Sequence, residues 1–434
     1  MKINVDESIL KILKFINNSG YEAYLVGGYV RDKLLNCNSN DYDICTNIPF
    51  EILTNNFNNF KMMKENDRRN IGCLRYDDKE FEFIAFKGDT LIDDLKKRDI
   101  TINAIACDGN CKIIDPLNGV SDIQNKNISL VDKSGNGIDF DPLRILRILR
   151  FSSIYGFSID DNTKRIINEK KFLLNNVASE RIFEEFKKII TSPGATNVIK
   201  EYADIFCVII PEIKEMRGFI QNNPYHIYDV LEHTLKVMDN VPIDNLELRL
   251  AALFHDMGKP FVYSEDDNGM GHFYGHPSVS EKIFCDFCKK YKVDNKMRDN
   301  VSRLIRFHER EIPLNKKSAH RFLISYGDEN VKQLFTLKKA DILGQNPIYD
   351  SRLLALDETE KYLEMLVMEE PVFSVRDLAI NGNDLMKIGI YGKDIGVTLN
   401  QILDKVISGD IDNNYDSISK YLSNFINIGN KKLK

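Results

Sequence analysis

The 434-residue sequence predicts an α+β head followed by an all-helical remainder. Three observations carry this expectation. Up to about residue 125, short strand-like apolar runs alternate with short helical segments. From Pro142 onward apolar residues recur at helical spacing almost without a break. All seven His fall between His226 and His320, so the two halves must rely on different chemistry.

In chain order, Ser8 to Asn18 places Ile9, Leu10, Ile12, Leu13, Phe15 and Ile16 at helical spacing. Tyr24-Leu25-Val26 reads as a short buried strand, Val30 to Leu35 as a helix start, Tyr42-Asp43-Ile44 as a second strand, and the alternating Phe81 to Phe86 as a half-buried strand. Asp141 predicts an N-cap with Pro142 at the first helical position, opening a helix that carries Arg144, Arg147 and Arg150. Ser192-Pro193-Gly194 and Gln221 to Pro224 break the helical stretch that runs to about Asn240. Leu246 to Leu253, Val279 to Lys290 and Asp299 to Phe307 continue it.

With 43% hydrophobic and 29% charged residues, the chain has material for roughly two to four domains. The balance of 59 Lys+Arg against 65 Asp+Glu, net −6, excludes a surface that grips polyanions everywhere, so any nucleic-acid contact must be locally basic. The stretch MKINVDESIL shows no basic region leading into an apolar one, and no apolar run has the length of a membrane span. This predicts a cytoplasmic protein without a membrane partner. Eight scattered Cys predict reduced, mostly buried thiols rather than a disulfide framework.

The first candidate site lies near the N-terminus. Gly27 and Gly28 sit between a strand and a helix, where a bare backbone lets a phosphate approach the helix N-terminus. Asp41 and Asp43 follow, and residues i and i+2 of an extended strand share a face, so both carboxylates converge on one point. Hard oxygen ligands so placed suit Mg²⁺ and predict nucleotidyl transfer with two metal ions. Downstream, Arg98, Asp99 and Asn103 supply a cation, a carboxylate and an amide, the side chains that hold a ribose and a phosphate. Arg144 and Arg147 share one helix face.

The second candidate site uses the histidines. His233, His255-Asp256, His308 and Asp341 occur on helical segments, and imidazoles with carboxylates bind one or two divalent ions whose bound water hydrolyses phosphate esters. His276 is a further candidate ligand.

The run YLVGGYVRDKLL, then DYD, KRDITINAIA, DPLRILRILRF and SERIFEEFKKII resembles the ordered motifs of class II tRNA nucleotidyltransferases, the CCA-adding enzymes and bacterial poly(A) polymerases. The continuation through RLAALFHDMGKP, HFYGHPSVSEKIF and DLAINGNDLMKIG resembles the bacterial members that carry a C-terminal HD domain. The resemblance implies a polymerase-β-like head at 1–125, a helical neck that recognises the base at 126–215, an HD phosphohydrolase-like domain at 216–345 and a tRNA-binding helical tail at 346–434. It implies that Asp41 and Asp43 hold Mg²⁺, that Gly28 and Arg31 contact the triphosphate, and that Arg98 and Asp99 lie near the ribose. Asp141 and Arg144 would read the base edge of CTP or ATP, supported by Arg147 and Arg150. Glu82 is the candidate for a third carboxylate. The substrate would be tRNA, and the HD domain would add phosphatase or cyclic phosphodiesterase activity.

Departures from that pattern keep alternatives in view. Phe140 stands where the family has Glu before Asp141, and only Gly88 to Lys96 remains of a loop that the family associates with the switch from C to A addition. A CC-adding enzyme is one alternative. A poly(A) polymerase is another, disfavoured by the acidic Asp404 to Asp416 stretch. The third is an HD phosphohydrolase with an inactive RNA-binding head.

Overall fold

The computed structural model describes residues 1–64, 70–312, 314–326, 330–369 and 374–431. The chain forms two compact units, Met1–Lys214 with Lys290–Lys292, and Glu215–Lys289 with Val293–Lys434.

The first unit opens with α1 (Glu7–Asn18), which buries Ile9, Ile12, Leu13 and Ile16 as one stripe. A seven-stranded sheet follows in the order β3-β4-β5-β2-β1-β6-β7. Its strands are β1 (Ala23–Val26), β2 (Tyr42–Thr46), β3 (Phe60–Lys64), β4 (Asn70–Tyr76), β5 (Lys79–Ala85), β6 (Ala106–Cys107) and β7 (Ile113–Ile114). β2 and β5 pair in parallel while β1 pairs antiparallel with β2 and β6, so the predicted α+β head is built on a mixed sheet. The β2–β5 register sets Asp43 beside Glu82. Tyr29, Tyr42 and Phe81 are buried in a row, with ring centroids 5.5 and 5.2 Å apart, and this aromatic contact pins the start of β2.

Between β1 and α2 (Gly28–Leu34), Gly27 takes φ 68°, where a side chain would strain the turn. α3 (Leu91–Lys96) begins in a reciprocal cap in which Thr90 and Asp93 satisfy each other's backbone N–H. α4 (Arg144–Tyr155) buries Ile145, Leu146, Ile148, Leu149 and Phe151, and α5 (Ser179–Ile190) buries Ile182, Phe183, Phe186, Ile189 and Ile190.

Asp141 does not take the predicted N-cap role. α4 starts at Arg144, and Asp141 instead accepts the Arg144 N–H through its carbonyl in a turn that has Pro142 at its second position. A five-residue helix, Asn136–Phe140, ends just before it, so the chain turns at Asp141-Pro142 before α4 begins. The Asp141 side chain is thereby left to reach elsewhere.

The second unit is helical: α6 (Val230–Asp239), α7 (Leu246–Phe254), α8 (His276–Tyr291), α9 (Asn295–Phe307), α10 (Val331–Leu343), α11 (Arg352–Glu369), α12 (Lys393–Ile407) and α13 (Tyr415–Lys431). An antiparallel ribbon pairing Ser264 with His272 interrupts it, a feature the helical periodicity did not predict. Toward the C-terminus, Leu385, Leu399, Ile402, Leu403, Ile418 and Leu422 form a small core of their own. Among the described residues no helix is long and apolar enough to cross a membrane, and the eight cysteines are free thiols.

Candidate functional site

In the first unit a cavity of about 630 Å³ lies where the Gly27 turn, the start of β2, the 97–103 segment and one face of α4 meet. Gly27, Gly28, Arg31, Asp41, Asp43, Arg98, Asp99, Asn103, Asp141, Arg144, Arg147 and Arg150 all line it. Every head residue singled out from sequence is therefore brought to one place, except Glu82, which stands beside Asp43 in the sheet but is not on the cavity wall. Phe140 is 87% exposed and also lies off the wall.

The glycines sit directly beneath the acids. A methyl group added at Gly27 would lie 3.2 Å from both Asp43 Oδ2 and Arg98 Nη1, and one at Gly28 would lie 2.5 Å from Asp41 Oδ2. Burial pushes the Asp43 carboxyl up to about 7, reinforced by the negative charges of Asp41 and Glu82, while Arg98 and Arg31 pull the other way. A buried carboxylate crowded by like charge, presenting oxygen atoms, is an environment that suits a hard divalent ion.

Each arginine is held by a specific partner. Arg31 donates to Asn103 Oδ1 at 2.5 Å and to Asp32 Oδ1 at 2.9 Å, and its guanidinium lies over Phe151 and Tyr155, 5.0 and 5.2 Å from their centroids. Arg98 is bound by buried Asp94 at 3.0 Å. Arg147 contacts Asp99 at 2.7 Å, and Arg150 contacts buried Glu185 at 3.1 Å. Arg144 donates to the carbonyls of Lys97 and Arg98, at 2.8 and 3.3 Å, which fastens α4 to the loop that carries Arg98. Burial alone would raise the Asp99 carboxyl, but Arg147, Asn103 and the Ile100 N–H outweigh it and hold it at about 2. Asp141, freed from capping, pairs with Arg181 at 3.3 Å.

Sequence reasoning missed Lys87, Asp94, Phe151, Tyr155 and Arg181 as wall residues. Asp94 carried a readable signal, an acid four residues before Arg98. Arg181 is 40 residues from Asp141, and only the packing of α5 on α4 joins them.

In the second unit His233, His255, Asp256 and Asp341 form one convergent group, and Asp256, His276 and His308 form another. His276, only a further candidate from sequence, thus stands with His308. His233 Nε2 lies 3.1 Å from both Asp256 Oδ2 and Asp341 Oδ1, His255 Nε2 is 3.2 Å from Asp256 Oδ2, and His276 Nε2 is 3.0 Å from Asp256 Oδ1. The Nδ1 atoms of His233, His255, His276 and His308 face the carbonyls of Gly344, Ala252, Phe273 and Ile305 at 3.1, 2.8, 3.0 and 2.7 Å. A carbonyl accepts only, so each Nδ1 is the protonated nitrogen and each Nε2 is aimed inward.

The donor set fits metal ions. Both Asp256 oxygens are buried and receive no well-directed hydrogen bond, and four inward nitrogens with two carboxylates match the ligand chemistry of divalent transition metals. Burial opposes a charged imidazole, yet Asp256 and Asp341 raise His255 to about 10, whereas burial and the neighbouring His255 and His276 lower His308 to about 3. Lys259 adds a buried cation 2.7 Å from Asp256. Asp341 and His308 open onto a cavity of about 750 Å³.

Three family models match in order: the poly A polymerase head domain over residues 23–129, the probable RNA and SrmB-binding site of polymerase A over 156–216, and the HD domain over 225–344. The CCA-adding enzyme of Lactobacillus johnsonii is 29% identical over 98% of this chain and 99% of its own. The solved structure of the Bacillus stearothermophilus CCA-adding enzyme in complex with CTP has the same fold, with a TM-score of 0.72, 23% identity and 98% of each chain covered. The Thermotoga maritima CCA-adding enzyme complexed with tRNA superposes with a TM-score of 0.61 at 20% identity, covering 97% of this chain and 96% of that one. The chain is thus an enzyme that carries a poly A polymerase head domain, the probable RNA-binding site of polymerase A and an HD domain in that order, and it is similar over nearly its whole length to CCA-adding enzymes.

Proposed function

We propose that the protein adds C and A to tRNA 3′ ends from CTP and ATP, without a nucleic-acid template. The observation that carries this reading is the convergence of Asp41 and Asp43 with Arg31, Arg98, Arg144, Arg147 and Arg150 around one cavity that also holds Asp141. Asp41 and Asp43 are the residues to hold two Mg²⁺ ions, which when bound would activate the primer hydroxyl and stabilise the leaving pyrophosphate. Gly27 and Gly28 let the triphosphate approach the backbone, and Arg31, held over two aromatic rings, offers it positive charge. Arg98 and Asn103 face the sugar-phosphate region. Asp141 and Arg144 present an acceptor and a donor fork to the base edge, and Asp99 fixes Arg147 behind them. In this reading 1–125 is the catalytic head, 126–215 the base-selecting neck, 216–345 the HD domain and 346–434 the tRNA-binding tail.

We further propose metal-dependent phosphoester hydrolysis at the histidine cluster, with Asp256 shared by two ions. His233, His255 and Asp341 complete one ligand set, and His276 and His308 complete the other. The metal identity is an outcome of experiment.

The connection between β5 and α3 favours a second reading, addition of C alone. The Lys87 N–H bonds Asp94 Oδ1 and Thr90 caps α3 at once, so a closed turn occupies the place of a long loop. The experiment offers a tRNA transcript lacking its CCA end with Mg²⁺ and CTP, ATP or both, and product length is read at nucleotide resolution. Extension by the full CCA supports the main reading, arrest after the second C supports the alternative, and no extension refutes both. Asp43→Ala should abolish extension while leaving phosphoester hydrolysis intact; loss of both in a folded variant would refute two separate sites.

A further inference from the structure

We propose that Arg352 is the residue of the histidine-carboxylate pocket that binds the substrate's phosphate oxygens and selects a phosphoester. The proposal rests on the phosphohydrolase reading and deepens it. Arg352 opens α11 and lines the same cavity as Asp341 and His308. Its guanidinium carbon lies 5.1 Å from the Tyr225 ring centroid and 5.8 Å from that of Tyr349, and those two rings are 4.6 Å apart.

The guanidinium is held in plane by two hydrogen bonds. Nη2 donates to Gln345 Oε1 at 2.5 Å and Nε donates to the Tyr349 carbonyl at 3.3 Å. Buried Gln345 in turn donates from Nε2 to Asp341 Oδ1 at 3.1 Å, the same oxygen that His233 Nε2 approaches. A short chain of contacts therefore connects the arginine to a ligand of the proposed metal.

Among the described residues Arg352 has no carboxylate partner, and its Nη1 has no acceptor. The pocket's lysines differ. Lys259 is engaged by Asp256 and Gln221, and Lys338 by the carbonyls of His308 and Arg310. Arg352 thus combines full charge, a fixed orientation and an open edge, and a guanidinium so arranged matches the paired oxygens of a phosphate. Stacking on two rings also means that little side-chain freedom remains to be lost on binding.

The test uses the full chain and the variants Arg352→Gln and Arg352→Lys. Mn²⁺ affinity is measured by calorimetry, inorganic phosphate affinity with and without Mn²⁺, and steady-state kinetics with 4-nitrophenyl phosphate. Arg352→Gln should weaken inorganic phosphate about tenfold or more and raise KM by a similar factor, as expected for loss of a hydrogen bond to a charged group. Its kcat and Mn²⁺ affinity should stay close to wild type, and Arg352→Lys should fall between. Unchanged phosphate affinity would overturn the proposal. So would a parallel fall in Mn²⁺ affinity, which would make Arg352 only a support for Asp341. If wild-type protein bound no Mn²⁺, the hydrolase reading would fail, while the metal-free phosphate titration would still decide whether Arg352 binds the anion.

Discussion

Replacing Gly28 with Ala separates the chemistry of the head from its folding. Gly28 is the first residue of α2 and does not have the positive φ of Gly27, so alanine fits the backbone there. Removing a glycine at a compatible position stabilises a protein by about 0.4–1 kcal/mol through the unfolded chain. The added methyl would sit 2.5 Å from Asp41 Oδ2, against 3.4 Å for ordinary contact, so that oxygen must retreat by about 0.9 Å. Asp41 is an exposed, flexible side chain, which makes the retreat inexpensive for the fold. It is costly for catalysis: a misplacement of about 1 Å in a catalytic constellation lowers rate about 100-fold. The expected result is a thermal midpoint equal to or above wild type together with a single-turnover CTP incorporation rate reduced about 100-fold. A Gly28→Ala variant with wild-type incorporation at limiting Mg²⁺ would refute the placement of Asp41 at the reacting centre. A variant that loses stability and activity together would refute the claim that Gly28 serves the site alone.

Other outcomes follow from the same geometry. Asp99 has its carboxyl held at about 2 rather than 3.8, so its stabilisation is present above pH 4 and is lost as pH falls toward 2. That contribution is about 2 kcal/mol, and Asp99→Asn should flatten the acid limb of stability measured by urea unfolding across pH. Asp141→Ala removes a half-exposed ion pair with Arg181 and should cost less than about 1 kcal/mol, with helical circular dichroism unchanged and discrimination between CTP and ATP impaired. A drop in helix content would restore the capping role. Asp256→Ala deletes the carboxylate common to both candidate metal groups and should abolish Mn²⁺ binding, whereas His276→Ala should leave the group around His233 able to bind; elemental analysis of the dialysed proteins distinguishes the two.

Periodicity carried α1, β1, α2, β2 and β5 of the head, whose apolar residues are local and buried, but not β3 and β4, which carry polar residues, nor the two-residue β6 and β7, which are too short to show a period. It also brought Asp41, Asp43 and the α4 arginines into consideration, since their spacing is local. Asp141 shows where local rules fail. Asp-Pro before an apolar run satisfies the capping pattern, but the preceding helix Asn136–Phe140 imposes a turn, and that constraint appears only when the chain is folded. The pairings Arg181 with Asp141 and Arg150 with Glu185 were likewise invisible, because α5 meets α4 through tertiary packing. In the second unit the histidines were individually legible, but the bridging position of Asp256 was not, since it depends on four Nε2 atoms arriving from separate segments of the helical unit.

The net charge of −6 now has a local meaning. Within the head cavity Arg98, Arg147 and Arg181 are each balanced by Asp94, Asp99 and Asp141, and Arg150 is balanced from behind by Glu185. Arg144 is different, because its donors rest on two carbonyls, which orient the guanidinium without cancelling its charge. The paired arginines are fixed in place by partners whose removal would leave buried charge uncompensated, while Arg144 keeps its full field for an incoming ligand. Asp41 and Asp43 show the converse, carboxylates whose burial and mutual repulsion Arg98 and Arg31 offset only in part. An acidic chain can therefore present a pre-oriented site for a polyanion. Its acids either fix the arginines or await metal, and the field the nucleotide meets is set by the few charges left unpaired rather than by the total.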